Sequence, residues 1–194
     1  AEAQPVADVT YHSKENMGIS QLSSSAFGQT FQVSAVQMIT AVSAVANGGK
    51  LMQPYVVAKK LDQDGNTVFE TTPTVKRQVI SENTSETVIG MMEMVVAEGT
   101  GKNAYIPGYR VAGKTGTSQT TTSETDGRYI ASFCGIAPAD NPEVVILVML
   151  DHPAPEDGTS ASGGKHAAPV AGGLIEKILT YMEIEKRYTE LDKT

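Results

Sequence analysis

The residues best equipped for chemistry are Lys114, Thr115, Gly116 and Thr117, which stand in a row between an apolar approach (Tyr109, Val111, Ala112, Gly113) and a Ser/Thr-rich stretch. A lysine at the inner end of a strand presents an ammonium to a cleft, and small neighbours let a ligand come close. Gly116 is expected to leave the strand surface bare, so that an extended peptide lies along it as an added strand held by main-chain hydrogen bonds. The hydroxyls of Thr115 and Thr117, together with Lys114, suit a terminal carboxylate. The Thr117 amide is placed to meet a developing oxyanion, where one preorganised donor is worth about 3 kcal/mol. The same four residues also make an ordinary strand end followed by a turn, so their surroundings have to decide.

The elements that would position them can be read on either side. Residues 1–30 are weakly patterned, with Ser20, Ser23, Ser24 and Ser25 clustered before Phe27-Gly28-Gln29, and they begin as a chain cut inside a domain would. Ser34-Ala-Val-Gln37 is a capping box. Val36, Ile39, Val42 and Val45 then repeat at helical spacing, and Asn47-Gly48-Gly49 stops the helix. Residues 54–80 read as extended: Tyr55-Val56-Val57, a turn at Asp64-Gly65-Asn66, a returning Thr67-Val68-Phe69, and a short strand from Val75. Ser81 caps a second helix, with Glu82 near its positive end and Val88, Met91, Met92, Val95 and Val96 as its apolar stripe.

Three strands are expected at 109–117, 129–137 and 143–151, the last two joined by Pro138 to Pro142 as an antiparallel pair. The unbroken apolar run from Val144 to Leu150 predicts burial on both faces. After a Gly/Ser/Pro-rich loop at 152–168, Pro169 opens a helix with Leu174, Ile178, Tyr181 and Met182 on one side. The tail beyond Glu183 is expected to be solvated. Helices before and after a largely antiparallel sheet predict an α+β fold.

Composition narrows the function. With 194 residues, 40% hydrophobic and 19% charged, the chain has the make-up of a globular domain with a sizeable core. A net charge of -7 without any basic stripe argues against nucleic acid. Cys134 is the only cysteine, which excludes an internal disulfide, and its apolar neighbours predict a buried small hydrophobe. His12, His152 and His166 show no ligand spacing, and His152 and His166 read as solvated loop histidines, so no metal or organic cofactor is expected.

Several stretches in order carry a resemblance. They are Ser25-Ala-Phe27-Gly28-Gln29, Ser34 through Asn47-Gly48-Gly49 and Pro54, Glu98-Gly99-Thr100-Gly101, Val111 through Lys114-Thr115-Gly116-Thr117-Ser118-Gln119, and Phe133-Cys-Gly135-Ile-Ala-Pro138. From about residue 25 to residue 180 the chain resembles the C-terminal part of a class B penicillin-binding protein transpeptidase domain, of the division or sporulation type. The resemblance implies a partial penicillin-binding transpeptidase (serine β-lactamase-like) fold. In it, residues 1–30 are a truncated lead-in, 31–108 a helix, hairpin and helix, 109–151 the sheet, and 152–190 a loop and the C-terminal helix.

It further implies a D,D-transpeptidase that cross-links peptidoglycan through an acyl-serine intermediate and binds β-lactams. Lys114 would belong to the proton-transfer and carboxylate-binding network, and the Thr117 amide would supply half of the oxyanion hole. Thr115, Gly116 and Thr117 would hold the substrate, while Gln119 and the 118–127 loop would line the acceptor side. Implied partners are the D-Ala-D-Ala stem peptide, β-lactams, the N-terminal half of the same domain and wall-synthesis proteins of division or sporulation. The implied location is the outer face of the cytoplasmic membrane, through an anchor absent from this chain.

The family's nucleophile motif, Ser-x-x-Lys, precedes Lys-Thr-Gly. Here Ser162-Gly-Gly-Lys165 follows it, in a glycine-rich loop and not at a helix start, and Ser81-Glu-Asn83 sits where a helix cap belongs. Neither is expected to be catalytic, so the chain alone should lack an activated serine and be inactive. Two other readings stand beside this one: a non-catalytic peptide- or β-lactam-binding module, and a serine β-lactamase or β-lactam sensor of the same fold.

Overall fold

Local chemistry sets the helix starts. Helix α1 covers Ile19–Ala26 and buries none of its residues, which is why no apolar pattern announced it. Helix α2 (Ala35–Ala46) starts at the expected capping box: Ser34 Oγ accepts from the Gln37 amide at 3.2 Å, and Gln37 Oε1 accepts from the Ser34 amide at 2.8 Å. It stops at Gly48 and Gly49, both at positive φ, and a Cβ on Gly49 would land on the Ile80 carbonyl. The computed structural model describes residues 12–13, 15–29, 31–119, 129–154, 158 and 160–188.

Two small antiparallel pairs follow. Strand β1 (Lys50–Met52) pairs with β4 (Val75–Gln78), and β2 (Lys59–Leu61) with β3 (Thr67–Glu70). The outgoing hairpin strand is therefore Lys59–Leu61 and not Tyr55–Val57. Asp62 Oδ1 accepts from the Asp64 and Asn66 amides at 3.0 and 2.8 Å, and this turn sets the register. Every residue of β2, β3 and β4 is exposed, so hydrophobic alternation had nothing to report there.

Helix α3 (Glu82–Ala97) is capped by Ser81, whose Oγ accepts from the Thr84 amide at 3.1 Å. Its buried face is Ser85, Ile89, Glu93 and Val96, with Val88, Met92 and Val95 half-buried beside it; Met91, expected inside, is 64% exposed. The stripe is rotated because two polar residues hold it. Ser85 Oγ donates to the Val45 carbonyl of α2. Glu93 accepts both ends of the Arg110 guanidinium, each at 2.6 Å.

The main sheet has the order β5 (Ala112–Gln119), β6 (Tyr129–Ala137), β7 (Val144–Asp151), all antiparallel. One face packs Ala112 and Ile136 with Ile89 and Ala139 against Val42, Val45 and Met92 of α2 and α3. The other packs Phe133 and Ala137 with Tyr109 and Val111 against helix α4 (Ala168–Tyr181). The expected antiparallel α+β architecture is present. β7, however, is half-buried instead of buried on both faces, because it forms one edge of the described sheet.

Helix α4 presents Ala168, Ala171, Gly172, Ile175 and Leu179 inward, while Leu174, Tyr181 and Met182 are exposed, contrary to expectation. Small residues let it approach the short 3-10 turn Lys102–Ala104 so closely that a Cβ on Gly172 would lie 3.1 Å from Ala104 Cα. The described part of the tail, up to residue 188, is exposed except at Ile184, which is half-buried against the core, and it is not free. Arg187 donates its amide to Gly108 O at 2.7 Å, Tyr109 Oη donates to Ile184 O at 2.9 Å, and Arg187 meets Asp140 at 3.2 Å.

Candidate functional site

The register decides which way each residue of β5 points its main chain. The His152 amide donates to Tyr129 O at 3.0 Å, one position beyond the Ile130–Asp151 pair of β6 and β7. Because bonded and non-bonded pairs alternate in an antiparallel ladder, Ala131, Phe133 and Gly135 face β7, while Ile130, Ser132 and Cys134 face β5. The latter three pair with Ser118, Gly116 and Lys114. Gly113, Thr115, Thr117 and Gln119 therefore direct N–H and C=O away from β6, to an edge where no described strand lies. Lys114 Nζ reaches round to the Thr115 carbonyl at 2.8 Å, in agreement with that direction.

Side chains alternate across the strand. Lys114 shares its face with Ala112 and Gly116, toward α2 and α3, and its neighbour across the ladder is Cys134, whose thiol burial pushes up to about 11. Thr115 and Thr117 share the opposite face. There Thr115 Oγ1 lies 3.0 Å from Thr100 Oγ1, and Thr117 Oγ1 accepts from the Gly163 amide at 3.1 Å. Gly116 is not bare as expected: a Cβ there would stand 2.5 Å from Ser132 Oγ, so the glycine makes room for that hydroxyl. Gly113 likewise makes room for the Phe133 ring.

A π-helical turn, Gly163–Ala167, leads into α4 and seats itself on this threonine face. A Cβ on Gly163 would press on the Ser132 carbonyl and stand 2.5 Å from the Gly116 carbonyl; one on Gly164 would press on the Thr100 carbonyl. Asn103 Nδ2 donates to Gly164 O at 2.8 Å and ties the turn to residues 99–104. Ser162 is the cap of this turn, its Oγ accepting from the Lys165 amide at 3.3 Å, and His166 Nδ1 accepts from the Ser162 amide at 3.1 Å. His166 is thus half-buried and engaged, not a solvated loop histidine. Ser81 is likewise a helix cap.

The structure therefore brings the main chain of Thr115 and Thr117 to one open edge with the Lys114 ammonium beside them, whereas Gly116 turns its N–H and C=O to Ser132 of β6. The Gln119 side chain and the loop at 120–128 lie outside the described residues. Sequence reasoning missed Thr100, Asn103, Gly163 and Gly164 as neighbours of the site; the only signals were a threonine between two glycines and a Gly-Gly pair. Among the described residues, no group of three or more His, Cys, Asp or Glu side chains could hold a metal ion, and no helix is long and apolar enough to cross a membrane.

Comparison with known proteins gives this edge a context. Residues 8–176 match the family described as penicillin binding protein transpeptidase domain. Stage V sporulation protein D of Bacillus subtilis is 42% identical over 185 residues, covering 92% of this chain and 28% of that protein. Penicillin-binding protein PbpB of Mycobacterium tuberculosis is 36% identical, covering 77% of this chain and 24% of that protein. The chain thus spans about a quarter of the length of these relatives. Among solved structures, penicillin binding protein 3 of Mycobacterium tuberculosis complexed with aztreonam superposes with a TM-score of 0.80 at 31% identity, covering 91% of this chain and 41% of that one. The transpeptidase domain of Burkholderia pseudomallei penicillin-binding protein 3 gives 0.71 at 31% identity, covering 90% and 50%.

Proposed function

The chain belongs to the family of penicillin binding protein transpeptidase domains, and on that footing we propose that it forms the substrate-pairing wall of a peptidoglycan D,D-transpeptidase. The observation that carries the reading is the open edge of β5, with the main chain of Thr115 and Thr117 directed outward and Lys114 beside them. A stem peptide ending in D-Ala-D-Ala adds along this edge as an extra strand. Its terminal carboxylate, which only accepts hydrogen bonds, is held by the Thr115 and Thr117 hydroxyls.

A serine Oγ supplied from outside these 194 residues attacks the penultimate D-Ala carbonyl. The oxyanion meets the outward Thr117 amide, the terminal D-Ala leaves, and an amine of a second stem peptide later displaces the serine. Lys114 serves the proton transfers of these steps, and Gln119 lines the acceptor side. β-Lactams acylate the same serine. The 194 residues act as part of one domain, in an enzyme that works at the cell envelope in division or sporulation.

The test uses labelled penicillin and mass spectrometry. A complete domain carrying this chain should form one penicilloyl adduct, on a serine outside residues 1–194, and the isolated chain none. An adduct on Ser81 or Ser162 would reverse these assignments. Lys114→Ala in the complete domain should slow acylation at least about 100-fold, the lower end for a general acid–base group; an unchanged rate would reduce the motif to a strand end.

A further inference from the structure

Thr115 and Thr117 occupy matching places on β5, yet their hydroxyls are held by different kinds of partner. Thr117 Oγ1 accepts from a main-chain amide, that of Gly163. An amide donor cannot reverse, so the Thr117 hydroxyl hydrogen must go elsewhere. Thr115 Oγ1 instead faces another hydroxyl, Thr100 Oγ1 at 3.0 Å, and either atom can donate. In one arrangement Thr115 gives its hydrogen to Thr100 and has none for a ligand. In the other, Thr100 donates and Thr115 has its hydrogen free.

Thr100 is not placed by chance. It lies at the end of α3, where Val95 O accepts from both the Gly99 and Gly101 amides, at 3.1 and 3.0 Å. Its carbonyl sits so close to Gly164 that no side chain fits there, and Gly164 is itself held by Asn103. The residue is therefore fixed between the helix end and the π-helical turn, with its hydroxyl as the freely rotating group. A carboxylate at the open edge only accepts. It would draw the pair into a single direction, Thr100 to Thr115 to carboxylate, a chain whose bonds strengthen one another.

Resting on the function proposed above, we propose that Thr100 is a positioning residue for carboxylate recognition: it donates to Thr115 and so turns the Thr115 hydroxyl outward to the ligand. Thr100 stays outside the bond-making steps and acts through Thr115.

The experiment compares wild type, Thr100→Val and Thr100→Ser in the complete domain, measuring second-order acylation rates with benzylpenicillin and with its methyl ester, which lacks the anionic carboxylate. Thr100→Val should lower the benzylpenicillin rate about tenfold, the upper end for a hydrogen bond between neutral groups, and the ester rate less than about threefold. Thr100→Ser restores the hydroxyl and should stay within about threefold of wild type on both. Equal slowing on both ligands, no slowing at all, or failure of serine to rescue would each overturn the proposal. A wild-type domain that benzylpenicillin does not acylate would instead defeat the proposed function, and this inference with it.

Discussion

Two glycines ten residues apart should respond to the same substitution with opposite signs. Gly163 is pressed against backbone on β5 and β6: an added Cβ would push on the Ser132 carbonyl and stand 2.5 Å from the Gly116 carbonyl and 3.0 Å from its amide nitrogen. Those are ladder atoms, which cannot rotate away as a side chain would. Overpacking of this kind costs about 1–3 kcal/mol, and contact with two strands argues for the upper end. Gly173, exposed within α4, has nothing within 4 Å of an added Cβ. There alanine should stabilise by about 0.8 kcal/mol through helix propensity. At about 2–4 °C per kcal/mol for a chain of this size, Gly163→Ala should melt roughly 6–12 °C lower and Gly173→Ala roughly 2–3 °C higher than wild type. Thermal unfolding followed by far-ultraviolet circular dichroism reads both. If Gly163→Ala melts within a degree of wild type, the turn is not seated on the sheet, and the account of Thr117 falls with it.

Cys134, its thiol pushed up to about 11 by burial, should carry about one thiolate per thousand molecules at pH 8. It should therefore resist thiol reagents until the chain unfolds; fast labelling of native protein would contradict its burial. Its ordinary value is 9.0, so above that pH the unfolded chain ionises while the native thiol does not. Stability is thus full below pH 9 and declines by about 2–3 kcal/mol as the pH rises through 11. Urea midpoints should show Cys134→Ala losing less than wild type between pH 8 and 10.5. Arg110→Met removes both bonds from Glu93, whose side chain is only 11% exposed. A fully buried pair broken in this way costs about 3–5 kcal/mol. The 35% exposure of Arg110 lets water relieve the carboxylate and brings the expectation to about 2 kcal/mol. Urea denaturation giving less than about 0.5 kcal/mol would make the pair incidental.

What was legible in the sequence was whatever a residue announces on its own. Ser34 with Gln37, Ser81, Asn47-Gly48-Gly49 and Pro169 mark helix ends by their own chemistry, and the strands around Phe133 and Ile146 declare themselves by apolar runs. What was not legible depended on partners. The buried faces of α3 and α4 are held by Ser85, Glu93, Ala171 and Gly172, none of which scores as apolar bulk. Each is inside because a carbonyl, a guanidinium or a close-packed turn meets it. The same holds at the site. Lys114 to Thr117 stood out as a motif, whereas Thr100 and Gly163 matter only because α3 and α4 bring their ends to the same face of β5.

The tail that crosses Gly108 and Tyr109 has a kinetic meaning as well. The bond from Tyr109 Oη to Ile184 O closes a span of 75 residues that contains the whole main sheet and α4. Closing a loop of that length costs roughly 4 kcal/mol of chain entropy when its ends are free. The clasp can therefore form only after the sheet and α4 have already brought its two ends together. It should be the last part of this unit to fold and the first to open, fraying from the C-terminal side while the core under it stays closed.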